Sequence, residues 1–427
     1  MALSEKFISS RFVDDVAKLP AVAPPGYEQV GIQRGGSSHP WGLATHALSS
    51  MLRVRPGKRA EIKVSIDGHF NSKIYTTNSE ISGEVVISPL RSMQFHHVDI
   101  ALAGTAHTRR DGPDITHTTT HRFLRLEMPV DDSEYPSSHV FEAGRTYTLP
   151  FVFNVPAHLT SQACTHRVSS DDIWERHMSL PPTVGGWEKD DMAPEMARIE
   201  YSIKAHVLKA SKRGFVVAAE SSHPVNVIPA TSEEPPLNIT GEDKLYALKK
   251  SRDVRKNMFS SVQGRISAVA AQPSAIRLGK EGHDASHTSI PISLTFEPTS
   301  ADVVPPQFTS ASLKIQGYTW FRDQPMQELP NLGTRAGSFA YPASVALPKV
   351  KPSVQWTQNV DMATDKAPIF HTATVEVPLR LPADKMFVPT FHACIVSRVY
   401  SVRVSLEGDA KVDVTVPLQV VMGSAEV

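Results

Sequence analysis

The chain has 427 residues with 44 basic and 44 acidic side chains and a formal net charge of zero, so no whole-chain field draws it to nucleic acid and any charged partner must meet a local patch. Single hydrophobic cores stop growing at roughly 250 to 300 residues, so two domains are expected. Only Cys164 and Cys394 are present, which excludes a dense disulfide framework and fits a reducing, cytoplasmic location. No apolar run approaches the roughly 18 residues that span a bilayer, and the N-terminus lacks the apolar stretch of a secretion signal.

Residues 1–58 carry little strand patterning and hold Pro20, Pro24, Pro25, Gly31, Gly35, Gly36, Ser37 and Ser38, which predicts a flexible tail. Phe7, Ile8, Phe12, Val13 and Val16 fall near helical spacing, consistent with a short amphipathic helix docked on its own protein, the alternative being a helix that meets a membrane or a partner. Pro24-Pro25-Gly26-Tyr27 has the Pro-Pro-x-Tyr form taken by WW domains, whose aromatic grooves accept a preformed polyproline II segment at low entropic cost. Pro24, Pro25 and Tyr27 are the expected contacts.

Strand signals begin at Glu61. Ile62, Val64 and Ile66 alternate, Gly83 to Ile87 follows a turn-like Asn78 to Ser82, and Val98, Ile100 and Leu102 alternate again. Tyr147, Leu149, Phe151, Phe153 and Val155 place one apolar face on a half-buried strand, because successive side chains of a strand point to opposite sides. Ile199 to Val207 repeats the pattern, and Val225 and Val227 close the unit. Short strands separated by turns predict a sandwich over residues 59–230.

A connector follows over residues 231–259, opening with Ser232-Glu-Glu-Pro-Pro236. Leu245, Leu248 and Val254, spaced among Lys244, Lys249, Lys250, Arg252, Arg255 and Lys256, predict a basic helix. Such a helix is ordinarily a solvated face; its alternative is contact with an anionic membrane, where each basic side chain contributes about 1 kcal/mol. Patterning resumes at Ile290, Ile292, Leu294 and Phe296, continues through Leu313, Ile315 and Ala373 to Leu381, and ends with the stretches Phe391 to Leu406 and Val412 to Val416. A second sandwich is expected over residues 260–427.

Catalysis has no support in the pattern. The chain lacks Gly-x-Ser-x-Gly, a phosphate-cradling glycine loop and Cys-x-x-Cys. His107, His117 and His121 form the densest histidine group, and His117-Thr-Thr-Thr-His121 has the spacing of two helix-borne zinc ligands. Three β-branched threonines favour a strand instead, which separates the two histidines by about 13 Å. The carboxylates of Asp171-Asp-Ile-Trp-Glu175 and Asp190-Asp-Met-Ala-Pro-Glu195 suit a hard cation in type, but they flank Pro181-Pro182 and Gly185-Gly186 in an expected loop. No catalytic residue, metal or cofactor is assigned.

The order of several pieces resembles the arrestin fold of two immunoglobulin-like β-sandwiches, and specifically the fungal arrestin-like proteins akin to the α-arrestins. They are Tyr75 to Ile87, Val98 to Gly104, Tyr147 to Phe153, Leu180 to Gly185 and Met192 to Ile203 in the first half, then Gly264 to Leu278 and Val388 to Tyr400 in the second. The resemblance implies an all-β, non-enzymatic cytosolic adaptor that binds cytosolic segments of membrane proteins. It also implies recruitment of a WW-domain ubiquitin ligase through Pro24, Pro25 and Tyr27, at the plasma membrane or endosomes. A coat or sorting scaffold without ligase recruitment is the alternative; a small-molecule-binding protein or enzyme reusing the fold, which would need a deep polar pocket, is a second one.

Overall fold

The computed structural model describes residues 28–29, 60–112, 116–212, 214–240, 243, 245–256, 260–279, 285–330, 339–360 and 369–423. The Pro24-to-Tyr27 motif, the apolar spacing from Phe7 to Val16 and Lys244 lie outside them. Two stacked pairs of sheets follow one another along the chain. The first sandwich is built from β1 (Ala60–Ile66), β2 (Glu80–Pro89), β3 (His97–Asp111), β4 (Thr116–Met128), β5 (Tyr147–Asn154), β6 (Ala197–Ser211) and β7 (Gly214–Val227). One sheet runs β4-β3-β6-β7 and the other β1-β2-β5, with antiparallel pairing throughout these strands.

The alternation in the sequence is realised directly. In β5 Leu149, Phe151 and Phe153 are buried while Thr148, Pro150, Val152 and Asn154 face out. In β6 every other residue from Ala197 to Val207 is buried. The two inner faces close over one core that includes Ile81, Val85, Ile100, Leu102, Phe151, Ile199 and Tyr201, and each such side chain contributes about 1.5 to 3 kcal/mol relative to exposure.

The second sandwich contains β8 (Lys249–Arg255), β9 (Val262–Ala270), β10 (Thr288–Pro298), β11 (Phe308–Phe321), β12 (Phe339–Ala346), β13 (Thr357–Val360), β14 (Ile369–Leu379), β15 (Val396–Gly408) and β16 (Lys411–Leu418). Its sheets run β8-β9-β10-β14-β13 and β12-β11-β15-β16. Ile266, Ile290, Ile292, Phe296, Ile315, Val375, Val402 and Val416 lie in its core.

The basic segment does not form the expected helix. Residues 249–255 are strand β8, paired antiparallel with β9 at the sheet edge. The sequence's local helix preference loses to the hydrogen-bonding groups of β9, which need a partner, and to the burial of Val254 in the second core. Lysines on an edge strand also discourage a further strand from adding there.

At Gly83 the two halves of the β1-β2-β5 sheet come close. A Cβ there would lie 2.1 Å from the Ser65 carbonyl oxygen and 2.8 Å from the Phe151 ring. Gly83→Ala must displace backbone, and overpacking of this kind costs about 1 to 3 kcal/mol. A lowered urea midpoint is expected; an unchanged midpoint would contradict the packing described.

Candidate functional site

The two sandwiches meet along a seam made by the excursion between β5 and β6. A 3-10 turn, Ser161–Ala163, leads into Cys164, and the helix α1 (Asp171–Met178) follows. The Ser170 side chain caps α1 by accepting from the Ile173 amide, Asp171 and Asp172 fill the first turn, and Arg176 stands in the last, each sign opposite to the helix dipole it faces. The first acidic cluster therefore begins a helix rather than lying in a loop. Asp172 pairs with Arg176 at 3.1 Å, and Arg176 reaches Glu234 at 2.6 Å, which fastens the connector to the helix.

Across the seam, two segments of the second half face this excursion. The Met326 amide donates to the Cys394 carbonyl at 2.7 Å and the Arg322 amide to the Ile395 carbonyl at 3.0 Å. Thr108 of β3 donates to the Arg322 carbonyl at 2.7 Å and Thr119 of β4 to the Asp323 carbonyl at 3.2 Å. Phe391, Ile395 and Val396 pack into the first core rather than the second.

Four side chains converge in this seam: Cys164, His166, His177 and Cys394. Their donor atoms all lie within 4.8 Å of one another, and all but His166 are buried. The Cys164 sulfur is 3.7 Å from His166 Nδ1 and 3.7 Å from His177 Nδ1. Contact with Cys394, joined by the two imidazoles and opposed by burial, holds the Cys164 thiol well below its ordinary value; the same contact together with burial pushes Cys394 up. The sequence reading assigned no metal and missed this set, because its members come from a loop, a helix end and a distant turn. Each cysteine does have a histidine two positions away, His166 after Cys164 and His392 before Cys394, and that was the available signal.

The histidines that the sequence singled out are dispersed. His117 is exposed on β4, whereas His121 is buried and its Nε2 donates to the Ala163 carbonyl at 3.0 Å. Burial lowers His121 to about 4, so it is neutral at pH 7. His107 turns to the hydroxyls of Thr120 and Thr105, at 3.0 and 3.1 Å.

A buried charge lies on the strand that follows Cys394. Arg398 on β15 is wholly inaccessible to solvent. Its Nε donates to Thr319 Oγ1 at 2.9 Å, and its Nη1 donates to the Asp191 carbonyl at 2.7 Å and contacts the Tyr400 hydroxyl at 3.4 Å. The second acidic cluster forms a loop clip: Asp190 pairs with Lys385 at 2.8 Å, which lowers its pKa, and Asp191 accepts from the Gly185 and Ala193 amides at 2.7 and 3.1 Å.

The basic residues expected to meet lipid are spread along an edge. Lys249, Lys250, Arg252 and Arg255 lie on β8 and Lys256 just after it, with Arg255 donating to the Ser260 carbonyl at 2.9 Å. A strand divides them between two faces. A cleft of about 220 Å³ opens beside the seam, lined in part by His158, Pro181, Ser232, Thr390 and Gln419; it is smaller than the roughly 300 to 1,000 Å³ of small-molecule sites.

Two successive β-sandwiches locked through a buried polar seam define an all-β scaffold. Residues 62–232 match the family model of the arrestin (or S-antigen) N-terminal domain. The chain is thus arrestin-like, with an all-β arrestin fold. No curated protein matches it. Among the described residues, no helix is long and apolar enough to cross a membrane.

Thr319→Val removes the acceptor of Arg398 Nε with little change in volume. Stranding part of a buried guanidinium should cost about 1 to 3 kcal/mol, read as a lower melting temperature; an unaltered melting temperature would show the bond to be dispensable. His121 gives a pH signature. Its folded pKa lies below the unfolded value, so the unfolded chain binds the extra proton first, and the stability it contributes is full above about pH 6.5 and lost as pH falls toward about 4. His121→Phe should flatten the fall in melting temperature across that window, and an identical slope would exclude His121 as its source.

Proposed function

We propose that the chain is a cytosolic adaptor that holds cytosolic segments of membrane proteins on its sandwiches and brings a WW-domain ubiquitin ligase to them through Pro24, Pro25 and Tyr27, promoting endocytosis. The arrestin N-terminal domain over residues 62–232 carries this reading. The physical basis is bivalent tethering: one surface holds cargo, the N-terminal motif holds the ligase, and the ligase is concentrated near cargo lysines without any new contact between them.

A feature of β7 supports cargo docking. From Gly214 to Val225 this strand pairs with β6; its other side pairs with a strand at Asn226 and Val227 and lies against β1 near His223, which bonds to the Val64 backbone, so the open part of the edge is the Gly214 end. Phe215, Val216 and Val217 stand exposed there at 55%, 39% and 50%. An open edge with apolar side chains suits an extended peptide added as a further strand, with main-chain bonds giving affinity and alternate side chains giving selectivity. The anionic membrane surface enters as a weaker, salt-screened contact of the β8 edge.

The test is a titration of a peptide spanning Leu19 to Gly31 against WW domains of the host's ubiquitin ligase. Micromolar binding is expected, weakened about tenfold or more by Tyr27→Ala, because short motifs rest on few anchors. Equal binding by both peptides, or none by either, would favour a coat or sorting scaffold that recruits no ligase. In the full chain, Phe215→Asp with Val217→Asp should reduce capture of membrane-protein segments and leave WW binding intact; undiminished capture would move the cargo surface elsewhere.

A further inference from the structure

We propose that Cys164, His166, His177 and Cys394 form a tetrahedral zinc site that joins the two sandwiches. This goes beyond the adaptor reading and stands independently of it.

The geometry argues for a metal. Zinc bound at about 2.3 Å to sulfur and about 2.0 to 2.1 Å to nitrogen in a tetrahedron sets its sulfur and nitrogen ligands about 3.6 Å apart. Cys164 Sγ lies 3.7 Å from Nδ1 of His166 and 3.7 Å from Nδ1 of His177, and the full set of four donors fits within 4.8 Å. Two thiolates and two imidazoles in a tetrahedral arrangement are the donor set that selects zinc among the common divalent ions.

The surroundings are also those of a ligand set. His166 turns its Nε2 to the Met326 carbonyl at 3.2 Å. A carbonyl only accepts, so Nε2 carries the proton and Nδ1 the lone pair; the Cys164 sulfur lies beside the ring, 3.7 Å from Nδ1 and 3.9 Å from Nε2, so ligation requires the ring to turn toward the ion. The carbonyl comes from the same Met326 whose amide bonds to the Cys394 carbonyl, so the outer contact and the fourth ligand are positioned together. Cys164, His177 and Cys394 are buried, and the protein supplies all four positions. A closed, buried set of this kind is structural rather than catalytic, since catalysis needs a position open to water or substrate.

A disulfide between the two cysteines would leave unexplained why two histidines gather beside the same pair of sulfurs. Three donors come from the excursion of the first half and the fourth from the turn that precedes β15, so the ion would bridge segments that otherwise touch through hydrogen bonds and packing. Binding displaces the remaining thiol protons to solvent and involves no change of oxidation state.

The experiment uses the full chain, purified under reduction and without chelator. One zinc per chain should survive gel filtration by elemental analysis, and cobalt exchanged into the chelated protein should show the visible bands of a tetrahedral thiolate site. Cys394→Ser and His177→Asn should each reduce zinc to background with the β circular dichroism kept. Should either variant fail to fold, the wild-type protein decides alone: chelation should expose both thiols to a thiol reagent and lower the melting temperature, and added zinc should reverse both. Wild-type protein that takes up neither zinc nor cobalt after reduction and loading would overturn the site. So would zinc that persists in Cys394→Ser, or an intact Cys164-to-Cys394 disulfide in protein isolated with free thiols blocked.

Discussion

Burial of the first turn of β15 on both of its faces is the constraint on which the molecule depends. Val396 and Ile395 complete the core of the first sandwich, whereas Tyr400, Val402 and Val404 belong to the second. Between them Ser397, Arg398 and Ser401 are buried although polar. One continuous strand is thus shared by two cores, and separating the sandwiches would open the first to water. At about 1.5 to 3 kcal/mol for each large apolar side chain re-exposed, the loss of Phe391, Ile395 and Val396 alone is comparable to a large part of a domain's net stability. The sandwiches are therefore one body, unlike domains strung on a free linker.

The polar groups of the seam follow from this. A guanidinium without water needs acceptors, and Arg398 finds them for Nε and Nη1 in Thr319 and the Asp191 carbonyl, whereas Nη2 has none among the described residues. The Asp191 carbonyl is in turn held by a loop that pairs Asp190 with Lys385 and is turned at Gly185, whose φ is +76°. Even the connector is fixed, with Glu233 accepting from the Ala275 amide and Glu234 bonded to Gln419.

The sandwiches were legible because a strand half-buried on one face writes itself as alternation, as Tyr147 to Val155 does. The same logic failed where long-range contacts outrank local pattern. The Lys249 to Arg255 segment has helix-forming residues, yet the open edge of β9 and a buried site for Val254 make it a strand. The prolines and glycines beyond Asp171 to Glu175 point to a loop, whereas Ser170 caps a short helix there. The first turn of β15 reads as two mixed faces, and only the neighbouring sandwich explains why Ser397 and Arg398 are inside. Spacing hints at the cysteine and histidine cluster only through His166 beside Cys164, since folding and not sequence distance brings His177 and Cys394 to them.

Calorimetric unfolding of the full chain under reducing conditions tests most directly whether the shared strand makes the two sandwiches one body. A single transition, with calorimetric and van't Hoff enthalpies equal, is the result this account predicts. Two separable transitions, with one sandwich melting while the other keeps its β circular dichroism, would contradict it.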